Sequence, residues 1–341
     1  MSIKRKRLIK YMAFTMAPAI MIALIAAVVS TMTMGSSAVT LAEAQETAPC
    51  NACHNNTTLI DGKEAQWEES GHGTGTAFME EGPNKSCVGC HSGGGFSAMI
   101  AAGQKPNQPT AGDNNPTPQD CRACHQTHTT YTGIDWALET VAPVSFYMLP
   151  GKTFDGGEGN LCANCHQPRK AAPVVAAGGT VTGITNRFGP HHGPQSSVMI
   201  GTGGAGAEGT SAAHYQYVEN TCVGCHMGST DNHTTEPNIA TCKGCHTTAT
   251  SFDVNGVQTA TQAKLDTLKG LLLNAGVLVC TVDEEGVESC VPPTASFSAP
   301  QNVGYALWNW ILINNEDGSK GVHNPEYTQT LLDNSIAGMT P

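Results

Sequence analysis

The pattern Cys-x-x-Cys-His occurs six times in this chain of 341 residues, and no other feature restricts its fold so strongly. The boxes are Cys50, Cys53 and His54; Cys87, Cys90 and His91; Cys121, Cys124 and His125; Cys162, Cys165 and His166; Cys222, Cys225 and His226; and Cys242, Cys245 and His246. A bare CxxC also serves zinc and thiol redox chemistry. Neither of those needs a histidine directly after the second cysteine every time. CxxCH is the attachment signature of c-type haem. Two thiols add to the two vinyl groups of the porphyrin, and the adjacent imidazole binds the iron from the same side. The boxes therefore predict six covalent c-type haems, with His54, His91, His125, His166, His226 and His246 as proximal iron ligands.

Six porphyrins would supply much of the apolar bulk of such a chain, and the composition agrees. It has 38 Gly and 19 Pro, and only 6% of residues are aromatic. This favours turns over a large side-chain core. The expected fold is mostly irregular loops with short α-helices and little β, wrapped around a chain of six haems. Folding and ligand binding would then be coupled, so the haem-free chain should fold poorly. The gaps between successive first cysteines are 37, 34, 41, 60 and 20 residues, which makes a repeated motif and not a solenoid period. Locally, residues 61–72 read as a helix closed by His72, 144–149 as a strand or helix, and 171–188 as a loop or hairpin.

Residues 1–44 read as an export signal. Lys4, Arg5, Lys6, Arg7 and Lys10 precede an apolar run over 12–29, and Ala42-Glu43-Ala44 offers a cleavage site before Gln45. The run is also long enough to remain as an uncleaved anchor. Either outcome places the protein outside the bacterial cytoplasm, periplasmic or extracellular, with the cell exterior favoured. Residues 45–246 form the hexahaem region. Cleavage would remove five basic side chains and one acidic one, taking the formal charge from −11 to −15. Such a surface makes nucleic acid a poor partner.

Counting histidines is the most informative arithmetic. Of 13 His, six stand in boxes and seven remain: His72, His128, His191, His192, His214, His233 and His323. Six irons with two imidazoles each need six distal ligands, so all seven are candidates. His128 follows His125 too closely to reach the far side of its own haem and should serve a neighbouring one. At least one of His191 and His192 should ligate, and the sequence leaves open which. The other could contact a propionate, ligate a haem of the next subunit, or do nothing. Met79, Met99, Met148, Met199 and Met227 are competing ligands, although such side chains more often pack against haem. Lys85, Arg122, Arg169 and Lys243, beside the boxes, either pair with propionates or are solvated.

Residues 247–341 carry no box and read as a haem-free segment folding back on the haem region. Leu265, Leu268, Leu271 and Leu272 recur at helical spacing over 259–274, with Gly276 as the helix stop. Residues 277–293 read as a hairpin whose arms Cys280 and Cys290 could bridge. A second helix runs near 302–313, and His323 precedes a third with Pro325 in its first turn.

These stretches resemble a known group. The six boxes, the CHxxH around His125 and His128, GPHHGPQ, CHM followed by His233, and the closing GVHNPEYTQTLL are similar to the multihaem c-type cytochromes of metal-reducing prokaryotes. That group includes the filament-forming OmcE/OmcS type. From about His191 onward the chain also resembles the haem-packing scaffold of pentahaem nitrite reductases and their octahaem relatives. The resemblance implies stacked and T-shaped haems that move electrons. It implies other cytochromes and terminal acceptors such as metal oxides as partners, and more weakly a homopolymeric filament. Nitrite reductases carry one box with Lys in place of His, and all six boxes here have His. No catalytic residue is assigned. The alternative is an oxidoreductase with one open haem that reduces a small nitrogen or sulfur oxyanion.

Overall fold

Helical turns only three to eleven residues long carry the chain from Thr58 to Cys242. The computed structural model describes residues 58–340 apart from His192. The first box (Cys50, Cys53, His54), the export signal and His192 therefore lie outside the described residues. Irregular loops join the turns, and β structure among the described residues amounts to three two-stranded sheets and an isolated bridge between His125 and Leu138. The fold class is thus the expected one of short helices and loops with little β. No helix among the described residues is long and apolar enough to cross a membrane.

Side-chain packing is unevenly distributed. The box region holds two small clusters, one around Phe146 and Phe154 and one around Phe96 and Met99. The main core lies in the box-free segment, where three longer helices, Val257–Asn274, Gln301–Ile311 and Pro325–Met339, pack on one another. Leu265, Leu268 and Leu272 fall on one face of the first helix and are wholly buried. That helix ends in a Schellman motif. Gly276 takes φ 70°, its N–H bonds the Leu273 carbonyl, and the N–H of Val277 bonds that of Leu272. The second helix is buried on nearly all sides, from Ala306 to Ile311, so it is the centre of the cluster. It continues as a π-helical stretch, Leu312–Asp317, and Gly318 at φ 67° ends it.

Three local readings differ from the structure. The helix over 61–72 ends at Glu68, and His72 sits in a separate turn, Gly71–Thr74. Ser70 caps that turn by accepting a hydrogen bond from the Gly73 N–H. Residues 144–149 supply only a two-residue strand, Val144–Ser145, paired with Thr153–Phe154. Residues 171–188 do not pair with themselves. Strand Thr180–Ile184 pairs antiparallel with Phe297–Pro300 of the box-free segment. Gly183 at φ 71° breaks the register, so Val181 and Ile184, three apart, both turn into the helical core.

Side-chain hydrogen bonds also fasten the glycine-rich loop after the 195–199 helix to that core. Trp308 donates to the Gly203 carbonyl, and Asn309 exchanges two bonds with the backbone of Ala205. Asn324 caps the third helix with its oxygen and donates its amide to the Val198 and Thr210 carbonyls. A Cβ on Gly204 would stand 2.6 Å from the buried Leu331 methyls and 2.7 Å from the Tyr327 hydroxyl, so any larger residue would force these side chains to shift.

Candidate functional site

Each described box folds as one helical turn. The histidine N–H bonds the carbonyl of the first cysteine in the boxes at 87–91, 121–125, 162–166 and 242–246, at 2.8–2.9 Å. Residues 222–226 form a helical turn over their whole length. Positions i, i+3 and i+4 of a helical turn share one face. The turn therefore directs both thiols and the imidazole to the same side, as covalent attachment with ligation from one side demands.

Four box histidines face four non-box histidines. His72 lies opposite His166 with ring centroids 6.3 Å apart, and His125 opposite His233 at 6.2 Å. His214 lies opposite His246 at 6.2 Å, and His226 opposite His323 at 6.3 Å. Two imidazoles on opposite sides of one metal need nearly this spacing. Each metal–nitrogen bond is about 2 Å and each ring radius adds about 1 Å, giving roughly 6 Å in all. All eight residues are half-buried.

Hydrogen bonds settle the tautomer of six of these rings. Nδ1 donates to a backbone carbonyl in His125 (Trp136, 2.7 Å), His214 (Val322, 2.8 Å), His226 (Thr235, 2.8 Å) and His233 (Asp231, 2.9 Å). In His166 it donates to Oε1 of Gln195 at 3.1 Å, and in His323 to Oδ1 of Asp317 at 2.7 Å. These oxygens only accept, so Nδ1 carries the proton and Nε2 keeps its lone pair for a metal. Burial, and then the charge of His166, push His72 down to about 4, and burial also lowers His166 and His226. Imidazoles held neutral in this way are in the ligating form. His323 differs. Burial would lower its proton affinity, but the charge of Asp317 and the hydrogen bond to it raise it above the ordinary value.

The pairing crosses the sequence order. His214 and His233 stand just before the boxes at 222 and 242, yet they face His246 and His125. Contacts also join the sites. Cys90 lies within hydrogen-bonding reach of Cys165, and Cys162 of Cys222, so three boxes are contiguous. Gln195 bonds His166 through its oxygen and donates to the Glu316 carbonyl, beside Asp317.

The remaining histidines have other surroundings. His128 is exposed, at φ 62°, and stacks on Tyr131 with centroids 5.6 Å apart. His191, at φ 66°, places Nε2 3.1 Å from Arg169. The Glu81 carboxyl is held below its usual range, first by a hydrogen bond with Cys87 and then by the charges of His91, His191 and Arg169, so these groups are neighbours. Arg122 is paired with Asp120 at 3.0 Å. Met99 and Met199 are buried in the side-chain clusters, and Met79 is exposed. Cys280 and Cys290 are register partners in the hairpin, with sulfurs 2.00 Å apart. Asp317 and Gln195 were not singled out from the sequence. Only the GPQ that follows His192 and the acidic NED that precedes His323 hinted at them.

The donor set fits haem c: paired thiols on one face of a turn, with imidazoles opposed across the span of one metal. Among the described residues, the box cysteines and histidines form no cluster that would hold a zinc ion. No family model matches the chain, and no curated protein matches it. A solved structure, the outer cell wall cytochrome OcwA, shares the fold at a TM-score of 0.52 and 19% identity. The match covers 82% of this chain and 50% of that one, so the chain spans half the length of that cytochrome.

Proposed function

We propose that this chain is a multihaem c-type cytochrome that carries electrons over long range through six covalently attached haems. The observation that supports the reading best is the set of four box/non-box histidine pairs at 6.2–6.3 Å. Bound haem iron supplies a reversible one-electron couple. The chain's own residues do the rest. His54, His91, His125, His166, His226 and His246 would bind the iron as the box ligands. His72, His233, His214 and His323, which stand opposite His166, His125, His246 and His226, would be the second ligands. His128 and the His191–His192 pair are assigned to the remaining two sites, at His54 and His91. Carbonyl, amide and carboxylate acceptors fix the ligand rings, and two imidazoles on each iron would leave it no place for substrate.

The contacts between sites support a continuous route. The Cys90–Cys165 and Cys162–Cys222 approaches join three boxes, and the Val322–His214 bond brings in the site at His246. Export, an acidic surface and the likeness to an outer cell wall cytochrome favour a periplasmic or extracellular site of action. Other cytochromes and terminal acceptors such as metal oxides are the partners that fit. Filament assembly, of the kind the OmcE/OmcS resemblance suggests, would use the histidine of the 191–192 pair that its own subunit leaves over.

Carbon monoxide tests this reading. The dithionite-reduced holoprotein, with six haems by haemochrome assay, should show no carbon monoxide shift of the Soret band. A shift on about one haem in six would favour the reductase with one open site.

A further inference from the structure

Six ring nitrogens in the paired histidines have a defined acceptor. Five of these acceptors are neutral, four peptide carbonyls and the Gln195 amide. The sixth is the carboxylate of Asp317, 2.7 Å from Nδ1 of His323. The Asp317 side chain is only 1% exposed, so water does little to screen its charge from the ring. Its other oxygen accepts hydrogen bonds from the backbone N–H and the hydroxyl of Ser319. The π-helical stretch ends at Asp317, and Gly318 in the left-handed conformation turns the chain back, which brings His323 against the carboxylate.

We propose that Asp317 is a positioning residue that tunes one metal centre, the one held between His226 and His323. A carboxylate on the second nitrogen of a ligating imidazole draws its proton and makes the ring a stronger donor. Stronger donation stabilises the ferric state, and second-shell hydrogen bonding is among the factors that set haem potential. The site at His226 and His323 therefore has the lowest reduction potential of the four whose ligand pairs are described. Electrons would leave it readily, and it would be the last of the four to fill. This inference rests on the haem-ligand reading above. It adds that one site differs from its neighbours and names the side chain responsible.

The test is a spectroelectrochemical titration of the holoprotein at fixed pH, with low-temperature EPR of the oxidised form to count low-spin haems. In Asp317→Asn, about one-sixth of the absorbance change should move to higher potential, the rest should superimpose, and the low-spin count should not change. Ser319→Ala, which removes the hydroxyl and leaves only the backbone N–H competing for the carboxylate, should move the same fraction to lower potential. His323→Ala should create one high-spin haem that binds carbon monoxide. Unchanged titration curves in both the Asp317 and Ser319 variants, with the low-spin count intact, would overturn the tuning role and leave the ligand reading standing. A His323→Ala protein with no new high-spin haem would remove His323 from the ligand set, and both readings of this site would fall. An Asp317 variant that gained a high-spin haem, with an unmoved Ser319→Ala curve, would reduce Asp317 to a structural anchor and overturn the proposal.

Discussion

Nδ1 of His214 donates to the carbonyl oxygen of Val322 at 2.8 Å, so the residue before one paired histidine orients another. His214 faces His246 and His323 faces His226. The box-free segment therefore serves two sites, one through a side chain and one through its backbone. Single and double changes should consequently differ. His323→Ala keeps the Val322 carbonyl in place and should open about one haem in six to carbon monoxide. His214→Ala/His323→Ala protein loses both rings and should open about two in six. Equal carbon monoxide uptake in the two proteins would remove His214 from the ligand set.

The crossed pairing makes a second prediction. His233 stands nine residues before Cys242, yet its ring stands opposite that of His125, with centroids 6.2 Å apart and planes 24° from parallel. His233→Ala should therefore expose the iron of the box at 121–125. The two alternatives separate in a background lacking one haem. In Cys121→Ala/Cys124→Ala protein, His233→Ala should add no carbon monoxide binding. In Cys242→Ala/Cys245→Ala protein it should add one site. The reverse pattern would mean that His233 serves the box next to it in sequence.

The local fold of the five described boxes was legible because covalent attachment would need three residue types on one face of a single turn, and a turn is encoded locally. That non-box histidines would stand opposite box histidines was an expectation from ligand counting, and four of the seven do so. Which histidine faces which box was not legible. The repeat of a histidine shortly before each of the last two boxes suggests a local unit, but His214 and His233 are carried past those boxes by the loops that follow. Strand Thr180–Ile184 was read as a loop or hairpin because its partner lies more than a hundred residues away, at Phe297–Pro300. Low aromatic content suggested a thin core throughout. Yet two of the four tryptophans, Trp308 and Trp310, are concentrated in one buried helix, an unevenness that bulk composition averages away.

That uneven core predicts where stability is most sensitive. Leu268 is fully buried between the three long helices, and Leu273, on the same helix, is 40% exposed. Truncating a buried leucine costs the transfer term and leaves a cavity, together about 2–5 kcal/mol. Leu268→Ala should therefore lower the thermal midpoint of the holoprotein clearly, and Leu273→Ala should change it little. Asn309→Ala should also destabilise, by about 1–3 kcal/mol, because it leaves the buried backbone groups of Ala205 without partners. Near-ultraviolet circular dichroism melts of the three variants would check the order. A Leu268→Ala midpoint equal to that of Leu273→Ala would mean that the haem region alone limits unfolding.

The hairpin at 279–291 gives the converse prediction, a stability effect without a redox one. Cys280 and Cys290 are opposed in the antiparallel register at Cα–Cα 4.0 Å. Val279, Val282, Val287 and Val291 around them are exposed, so the hairpin is a peripheral element. None of the four histidine pairs uses it. Loop-closure entropy for a crosslink of this span corresponds to a stabilisation of about 3 kcal/mol at most, because native strain and residual structure in the unfolded chain reduce it. Cys280→Ser/Cys290→Ser protein should therefore bind its full complement of haem, give a redox titration superimposable on that of the parent, and unfold at lower denaturant concentration. A shifted titration would show that the hairpin reaches a haem site through contacts other than the crosslink. An unchanged denaturation midpoint would mean that the register of the two strands holds the hairpin closed without it.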